Sequence, residues 1–497
     1  MLMRNLRASK PTNFFLLALL TVSGCSWFGG GKSNERTEGH HELYSAPSSP
    51  NIESLSKTQR RLVIVSTNDW QGRLEPKTEV ARDKHHPQEI LVSVGGVEIL
   101  ARYLNILRTQ FPSQVLTLDA GNSLAGSHEA RGAGSEAVLG AFAQLKDDAI
   151  TLAGADLNAG PALKATSTSA AKWLPKLLEK TTTPVVLGNL VDLHTAAPVA
   201  FPPATSQLLK EVNGVKVGII GLLNDEVPKG LDAATLNGFY IEPTAQSVLK
   251  NSRSLRLKGA EVIVLMLYGG IQCGEERAKE VNLPLSKVNF DVSDEKACSR
   301  TGDLAQFLQS LPPGMVDVVT TGGSASKVAN LVNGIPVIQA FPSGTSFSRV
   351  DVIYDREKGK VLTSETVIHQ PIRLCHRFVK ATNDCYTEDH TVDHREMVPA
   401  RYLGIEIQPD QATRAWLAPW RKSFASEKSL VVFRQQEGTP DMREALALKL
   451  RETLGTDAAL VGGESWSLNL KPGLVSKRDL WRLREARDKV RLVLIQG

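Results

Sequence analysis

The sequence predicts an α/β fold of layered sheets covered by helices, and three observations predict it. Short Val, Ile and Leu runs recur from Leu62 onward, apolar on consecutive residues as strands buried on both faces are. Between them lie amphipathic stretches such as "GGVEILARYLNILRTQF", whose apolar residues recur at helical spacing. At 497 residues the chain also exceeds one ordinary hydrophobic core, so two domains plus non-domain segments are expected.

The first element is an address. Arg4, Arg7 and Lys10 form a positive region, "FFLLALL" a short apolar one, and "TVSGC" closes it at Cys25. This order resembles a bacterial lipobox, which implies that residues 1–25 form a signal, that Cys25 is lipidated, and that acyl chains attach the protein to a lipid bilayer. An ordinary secretory signal with an incidental Cys is the alternative. Ser26 follows Cys25 where an Asp would resemble an inner-membrane retention signal, so the expected location is the outer membrane, facing the periplasm or cell surface. Residues 26–60, rich in Gly, Ser, Pro, Asn and charge, read as a flexible tether.

Strands come next in order: "LVIVS" (62–66), "QVLTLD" (114–119), "AITLAG" (149–154), "PVVLGN" (184–189), "VKVGIIGL" (215–222), "EVIVLML" (261–267) and "VDVVTTGG" (316–323). "IPVIQAF" and "FSRVDVIYD" add two more before the expected end of the first domain, residues 61–356. In layered sheets of this kind functional groups gather in loops beyond the C-terminal strand ends. Asp69, Asp119, Asn122, Asp156, Tyr268 and Ser324 all fall there. Residues 357–427 read as a cysteine-bearing connector in which "PDQATRAWLAPWRKSFASEK" is a helix, or a helix pair interrupted at Pro419. A smaller α/β domain, 428–497, then places the strands "LVVF", "DAALVGG" and "KVRLVLIQG" around the helix "DMREALALKLRETLG".

Composition excludes several classes. With 42% hydrophobic and 22% charged residues the chain reads as soluble and globular, and no internal apolar run reaches the ~20 residues that span a bilayer. A net charge of +5, scattered instead of gathered into one stripe, argues against a nucleic-acid partner. Apart from Cys25 the cysteines are Cys273, Cys298, Cys375 and Cys385, an even number that suggests two disulfides in an oxidising compartment. Nearest-neighbour pairing is one of three connectivities. Cys375, Cys385, His390 and His394 could instead hold zinc, although compact zinc fingers space their first two cysteines about two to four residues apart.

The loop sequences resemble the periplasmic and cell-surface 5′-nucleotidase family, from the tether nearly to the end of the chain. "STNDWQGRLEP" matches the family's Thr-Asn-Asp-x-His-Gly opening, "GGVEILARYLNILR" its Gly-Gly helix, and "LTLDAGNSLAGS" its Asp-Ala-Gly-Asp block. "DDAITLAGADLNAG" stands for Gly-Asn-His-Glu, "VNGVKVGIIGL" for the next strand, "VIVLMLYGG" for Ser-His-Leu-Gly and "VVTTGGSAS" for Gly-Gly-His-Ser-His. The resemblance implies a metallophosphoesterase-like β-sandwich flanked by helices, with a second, smaller α/β domain that binds the nucleoside.

Family chemistry requires two divalent cations about 3.5–4 Å apart, held by a bridging carboxylate and imidazoles. Position by position that set is dismantled here. Asn68 and Asp69 remain, but the imidazole partner has become Gln71 and the bridging carboxylate Asn122. The Asn-His pair has become Ala155-Asp156, the next His aligns with Leu267 beside Tyr268, and the last two imidazoles are Ser324 and Ser326. One carboxylate among amides and hydroxyls cannot hold two metals. Asp69 is therefore expected to bond loop backbone N–H groups, and no metal or other cofactor is expected. Asp69 and Asp156 could form an acid/base pair, with His128 nearby, but no activated nucleophile accompanies them. In the smaller domain the substrate-binding Arg of the family becomes Trp466, and the sequence ends at Gly497 where the family domain would continue.

The function expected from these residues is a non-catalytic lipoprotein of the cell envelope, a structural or binding component with an envelope protein as partner. One alternative is a phosphoesterase or 5′-nucleotidase with atypical metal use. Another is a binder of nucleotide-like ligands through Asn68, Asn122, Ser324 and Ser326.

Overall fold

The computed structural model describes residues 55–83, 86–124, 126–127, 129–130, 135–158, 169–231, 234–273, 298, 303–323, 327–386, 396–429, 431–435 and 473–476. Contacts divide the chain into units Met1–His40 and His41–Gly497, and all described residues fall in the second. Cys25, His128, Ser324, Ser326, His390, His394, Trp466 and most of the expected smaller domain lie outside the described residues.

Two sheets form the centre. The first contains β1 (Gln59–Thr67), β2 (Val115–Asp119), β3 (Ala149–Ile150), β4 (Val185–Val186) and β5 (Ala204–Thr205). The second is built from β6 (Leu208–Val212), β7 (Val215–Leu222), β8 (Val262–Leu267), β9 (Val318–Thr320), β10 (Val328–Val332) and β11 (Ile335–Gln339). The chain then returns to the first sheet with β12 (Ser346–Asp355), β13 (Lys360–Val361) and β14 (Val367–Arg373), so this sheet continues past residue 357. Strand order is β13-β12-β1-β2-β3-β4-β5 in the first sheet, with β14 also on β12, and β6-β7-β8-β9-β11-β10 in the second. β1 to β5 run parallel, as do β7, β8, β9 and β11, so each set delivers its C-terminal ends to one edge of its sheet.

Alternation along the strands explains why the sheets face each other. In β1, Leu62 and Ile64 point into a core shared with Val217 and Ile219 of β7 and Val264 and Met266 of β8. Val63 and Val65 point the other way, onto helices α1 (Val97–Gln110), α2 (Glu136–Leu145) and α3 (Ala170–Leu178). The outer face of the second sheet, through Ile263 and Leu265, is covered by α4 (Thr244–Leu257) and α5 (Asp303–Ser310). The central strands β1, β7 and β8 are thus buried on both faces over most of their length, which is why these runs are continuously apolar. α1 buries Ile99, Leu100, Tyr103, Leu104 and Leu107 on one side and stops at Phe111, where Pro112 follows.

Several expectations change in detail. "AITLAG" and "PVVLGN" form strands of only two residues each, because the chain turns into the loops beyond the sheet edge. The segment around Pro419 is one continuous helix, α6 (Gln411–Ser429), not a pair. Proline removes one helical hydrogen bond, and docking outweighs that loss. Leu417 and Phe424 are fully buried, Arg414 pairs with Glu98 at 3.3 Å, and Arg421 pairs with Glu75 at 2.6 Å. The cysteines join as nearest neighbours, Cys273–Cys298 and Cys375–Cys385. That pairing corrects the zinc alternative, since the thiolate is the ligand and these sulfurs are bonded to each other. Among the described residues no helix is long and apolar enough to cross a membrane.

Candidate functional site

The loops after β1, β2, β3, β8, β9 and β11 converge at the C-terminal edge of the two sheets. The first two zip together by backbone bonds: Asp69 N–H donates to Gly121 O at 2.9 Å, Gln71 N–H to Asn122 O at 3.1 Å and Gly72 N–H to Ser123 O at 2.8 Å. Three non-glycine residues here take left-handed backbone, Asp69 and Gln71 at φ 52° and Asn122 at φ 59°. Such positions are sparsely populated and favour Asn and Asp, and they cluster where loops hold a defined constellation.

Asp69 is at the centre and is 3% exposed. Its Oδ1 accepts from Asn122 Nδ2 at 2.5 Å and from the Tyr268 hydroxyl at 2.8 Å. Its Oδ2 accepts from Asn68 Nδ2 and from Gly323 N–H, both at 2.9 Å. The amide of Asn122 uses its second hydrogen on Tyr268 Oη at 3.0 Å, closing a three-membered ring of hydrogen bonds. The two glycines after β9 are required by this packing. A Cβ on Gly322 would lie 2.7 Å from Asp69 Oδ2 and 2.9 Å from the Tyr268 ring, and one on Gly323 would lie 3.1 Å from that ring.

The neighbouring groups are equally occupied. Asn68 spans to Ala340 after β11, donating to its carbonyl at 3.2 Å and accepting from its N–H at 2.8 Å. Asp156 accepts from the N–H groups of Asn122, Leu124 and Ala153 at 2.7–2.8 Å. It fixes the loop after β2, and Asn122 bonds both carboxylates, Asp156 through its backbone N–H and Asp69 through its side-chain amide. Gln71 acts through its backbone, and Ala155 brings only a methyl group to a turn.

Two expectations about the site need correction. Leu267 is not at the site: its side chain packs in the core of the second sheet, and Tyr268, one residue on, reaches Asp69. The register of β8 decides this, since successive residues of a strand point to opposite faces. Asp69, expected to bond backbone N–H groups, accepts from one such group and three side chains. Asp119, which the sequence places near the site without a role, is a buried support. It accepts from Thr67 Oγ1 at 2.7 Å, Ser123 Oγ at 2.8 Å and Gly121 N–H at 3.0 Å. A position at the C-terminal end of a parallel strand is the one sequence signal that Tyr268 and Asp119 share.

Burial lifts the Asp119 carboxyl well above its ordinary range, against the pull of those three hydrogen bonds. The folded state therefore holds a proton that the unfolded chain releases near pH ~4. As pH rises from there toward the folded value, stability falls. Asp119→Asn should lose that part of the slope, which urea unfolding of both proteins at about pH 4.5 and about pH 7.5 would read. Tyr268 is also pushed upward, by burial first and then by the Asp69 charge, so its hydroxyl stays protonated and donates.

This donor set does not fit a divalent cation. A carboxylate offers about four lone-pair positions, and at Asp69 each one faces an N–H or O–H hydrogen where a cation would have to sit. The adjacent carboxylate, Asp156, is committed to three backbone donors. Nor does the arrangement suit ligand recognition through Asn68 or the Asn122 amide nitrogen, whose hydrogens are already used.

Two facing sheets with helices outside, and loops gathered at the C-terminal edge, define the calcineurin-like phosphoesterase fold. Its particular form here is that of the 5′-nucleotidases, and solved structures bear this out. A putative 5′-nucleotidase from Staphylococcus aureus superposes with a TM-score of 0.57 at 16% identity, over 85% of this chain and 72% of the other. The 5′-nucleotidase precursor from Thermus thermophilus gives 0.54 at 16% identity over 86% and 74%, and the NAD nucleotidase of Haemophilus influenzae 0.53 at 16% over 86% and 75%. No protein-family model matches the sequence. In sequence the chain is similar to the cell wall protein Lmo0130 of Listeria monocytogenes, 28% identical over 176 residues. That match takes in 35% of this chain and spans about a fifth (21%) of the relative's length.

Proposed function

We propose that this chain is a non-catalytic envelope lipoprotein that keeps the 5′-nucleotidase scaffold as a structural or binding component. One observation carries the reading: the Asp69 carboxylate is saturated by hydrogen-bond donors. Two-metal hydrolysis needs carboxylates and imidazoles with lone pairs turned toward the ions, and here hydrogens are turned inward instead. Fold alone does not assign activity. The likeness to a cell wall protein supports an envelope location, and "TVSGC" supports attachment to the outer membrane through lipidated Cys25. The partner in this reading is another envelope protein.

The test is metal content together with turnover. The full chain, purified in detergent, is exposed to manganese, zinc and cobalt, dialysed, and analysed for metal. It is then assayed on nucleoside monophosphates and simple phosphate esters. Background metal and no turnover are expected. Two equivalents of metal with hydrolysis that Asp69→Ala abolishes would overturn the reading and return the chain to the hydrolases.

A further inference from the structure

The hydrogen bonds at Asp69 do more than fill its lone pairs. Asp69 and Asn122 follow β1 and β2 of the first sheet, whereas Tyr268 and Gly323 follow β8 and β9 of the second. Tyr268 to Asp69, Asn122 to Tyr268 and Gly323 to Asp69 therefore cross between the sheets. The crossing continues at Ala340 after β11, bonded in both directions to Asn68, and at Ser343, whose N–H donates to Asp69 O at 2.7 Å. Below this edge the sheets meet through an apolar core of Leu, Ile and Val, which attracts strongly but without direction. These hydrogen bonds add direction at this edge, as does Asn189 after β4, whose amide bonds Leu223 after β7 both ways.

The ring at the centre is also chemically complete. Asn122 donates one amide hydrogen to Asp69 and the other to Tyr268, and Tyr268 donates its hydroxyl hydrogen to Asp69. A carboxylate cannot do this at position 122. An oxygen in place of Nδ2 would face Asp69 Oδ1 at about the present 2.5 Å, and two carboxylates that close cannot both ionise without a proton or cation between them.

We propose that Asp69, Asn122 and Tyr268 form a cation-independent latch that fastens the two sheets at their C-terminal edge. Its neutral amide does the work that a bound positive charge would otherwise have to do. This deepens the reading of a non-catalytic scaffold and rests on it: the loops that would carry turnover in a hydrolase here hold the layers in fixed register.

Two variants of the full chain test the latch. Tyr268→Phe removes one oxygen and keeps the ring on Gly322 and Gly323, so folding should survive. Its readout is hydrogen exchange at the Gly323 amide, which bonds Asp69 and not Tyr268. That amide should exchange at least about tenfold faster than in the wild type, while the Val264 amide in the middle of β8 is unchanged. Unchanged exchange at Gly323 would overturn the latch. Asn122→Asp places the second carboxylate. Its thermal midpoint at neutral pH should lie below that of the wild type and rise by several degrees, roughly 5 °C, in millimolar manganese, which leaves the wild type unmoved. Indifference of Asn122→Asp to manganese and to pH would overturn the role given to the amide. Hydrolysis by the wild type sinks the non-catalytic reading whatever these variants do. A silent Tyr268→Phe removes the latch and leaves that reading standing.

Discussion

Asp69→Ala should destabilise the protein by about 3–5 kcal/mol without altering any hydrophobic contact of the core. Asn122, Tyr268, Asn68 and Gly323 all lose their acceptor in one step. An unsatisfied buried donor costs on the order of 1–3 kcal/mol, so four such losses, partly relieved by water and by loop relaxation, sum to that range. Asn68 keeps its bonds to Ala340, which limits its share. Asp69→Asn should lose less than Asp69→Ala, because one oxygen survives to accept while the new amide nitrogen opposes existing donors. Urea unfolding of the three proteins checks the order. A loss below about 1 kcal/mol in Asp69→Ala would mean that solvent already satisfies these donors.

The second large effect lies under α1, away from the site. Arg349 and Asp351 are fully buried on the helix-covered face of β12 and pair in two places, Nε to Oδ1 at 2.7 Å and Nη2 to Oδ2 at 2.6 Å. Arg349 also donates to the Tyr402 hydroxyl at 3.2 Å and lies 4.9 Å from the centre of the Phe111 ring. Asp351→Leu would strand the guanidinium without its anion and should cost about 3–5 kcal/mol. Replacing both partners, Arg349→Met with Asp351→Leu, should recover part of that loss, because the desolvation cost of each ion disappears with its charge while buried Arg61 and His369 still lose the anion they face. A double variant as unstable as the single one would show that shape, not charge, governs the cluster.

The same pair sets an acid limit. Burial opposes ionisation of Asp351, but the His369 ring 3.5 Å away and the Arg349 charge outweigh it and hold the carboxyl far below its ordinary range. A depressed carboxylate contributes stability that is fully present above the unfolded value, near pH ~3.9, and is lost as pH falls below it. Asp119 works in the opposite sense above that pH. Stability should therefore decline on both sides of mildly acid conditions, each limb removable by its own substitution.

Strand runs and their order were legible in the sequence because burial on both faces leaves a continuous apolar signature, as in "VKVGIIGL" and "EVIVLML". Legible too was the place of Asp69, since a polar residue directly after a parallel strand faces the edge where the loops gather. The substitutions at Gln71, Asn122 and Ala155 could be read one by one. What they do together could not, and alignment of motifs gives Leu267 a site position that belongs to Tyr268.

Local periodicity thus determined which runs form strands, that helices cover the sheets, and which carboxylate stands alone among amides and hydroxyls. The tertiary structure alone decided what that carboxylate does. Its partners Asn122 and Tyr268 lie 53 and 199 residues away along the chain. They meet it because parallel strands in two different sheets end at one edge. The pairing of Arg349 and Asp351 with Tyr402 depends in the same way on the packing of separate elements, as does the burial of Asp119. Sequence spacing records side-chain direction within an element. The hydrogen-bond partner across elements is fixed by register and layer packing, which no local pattern carries.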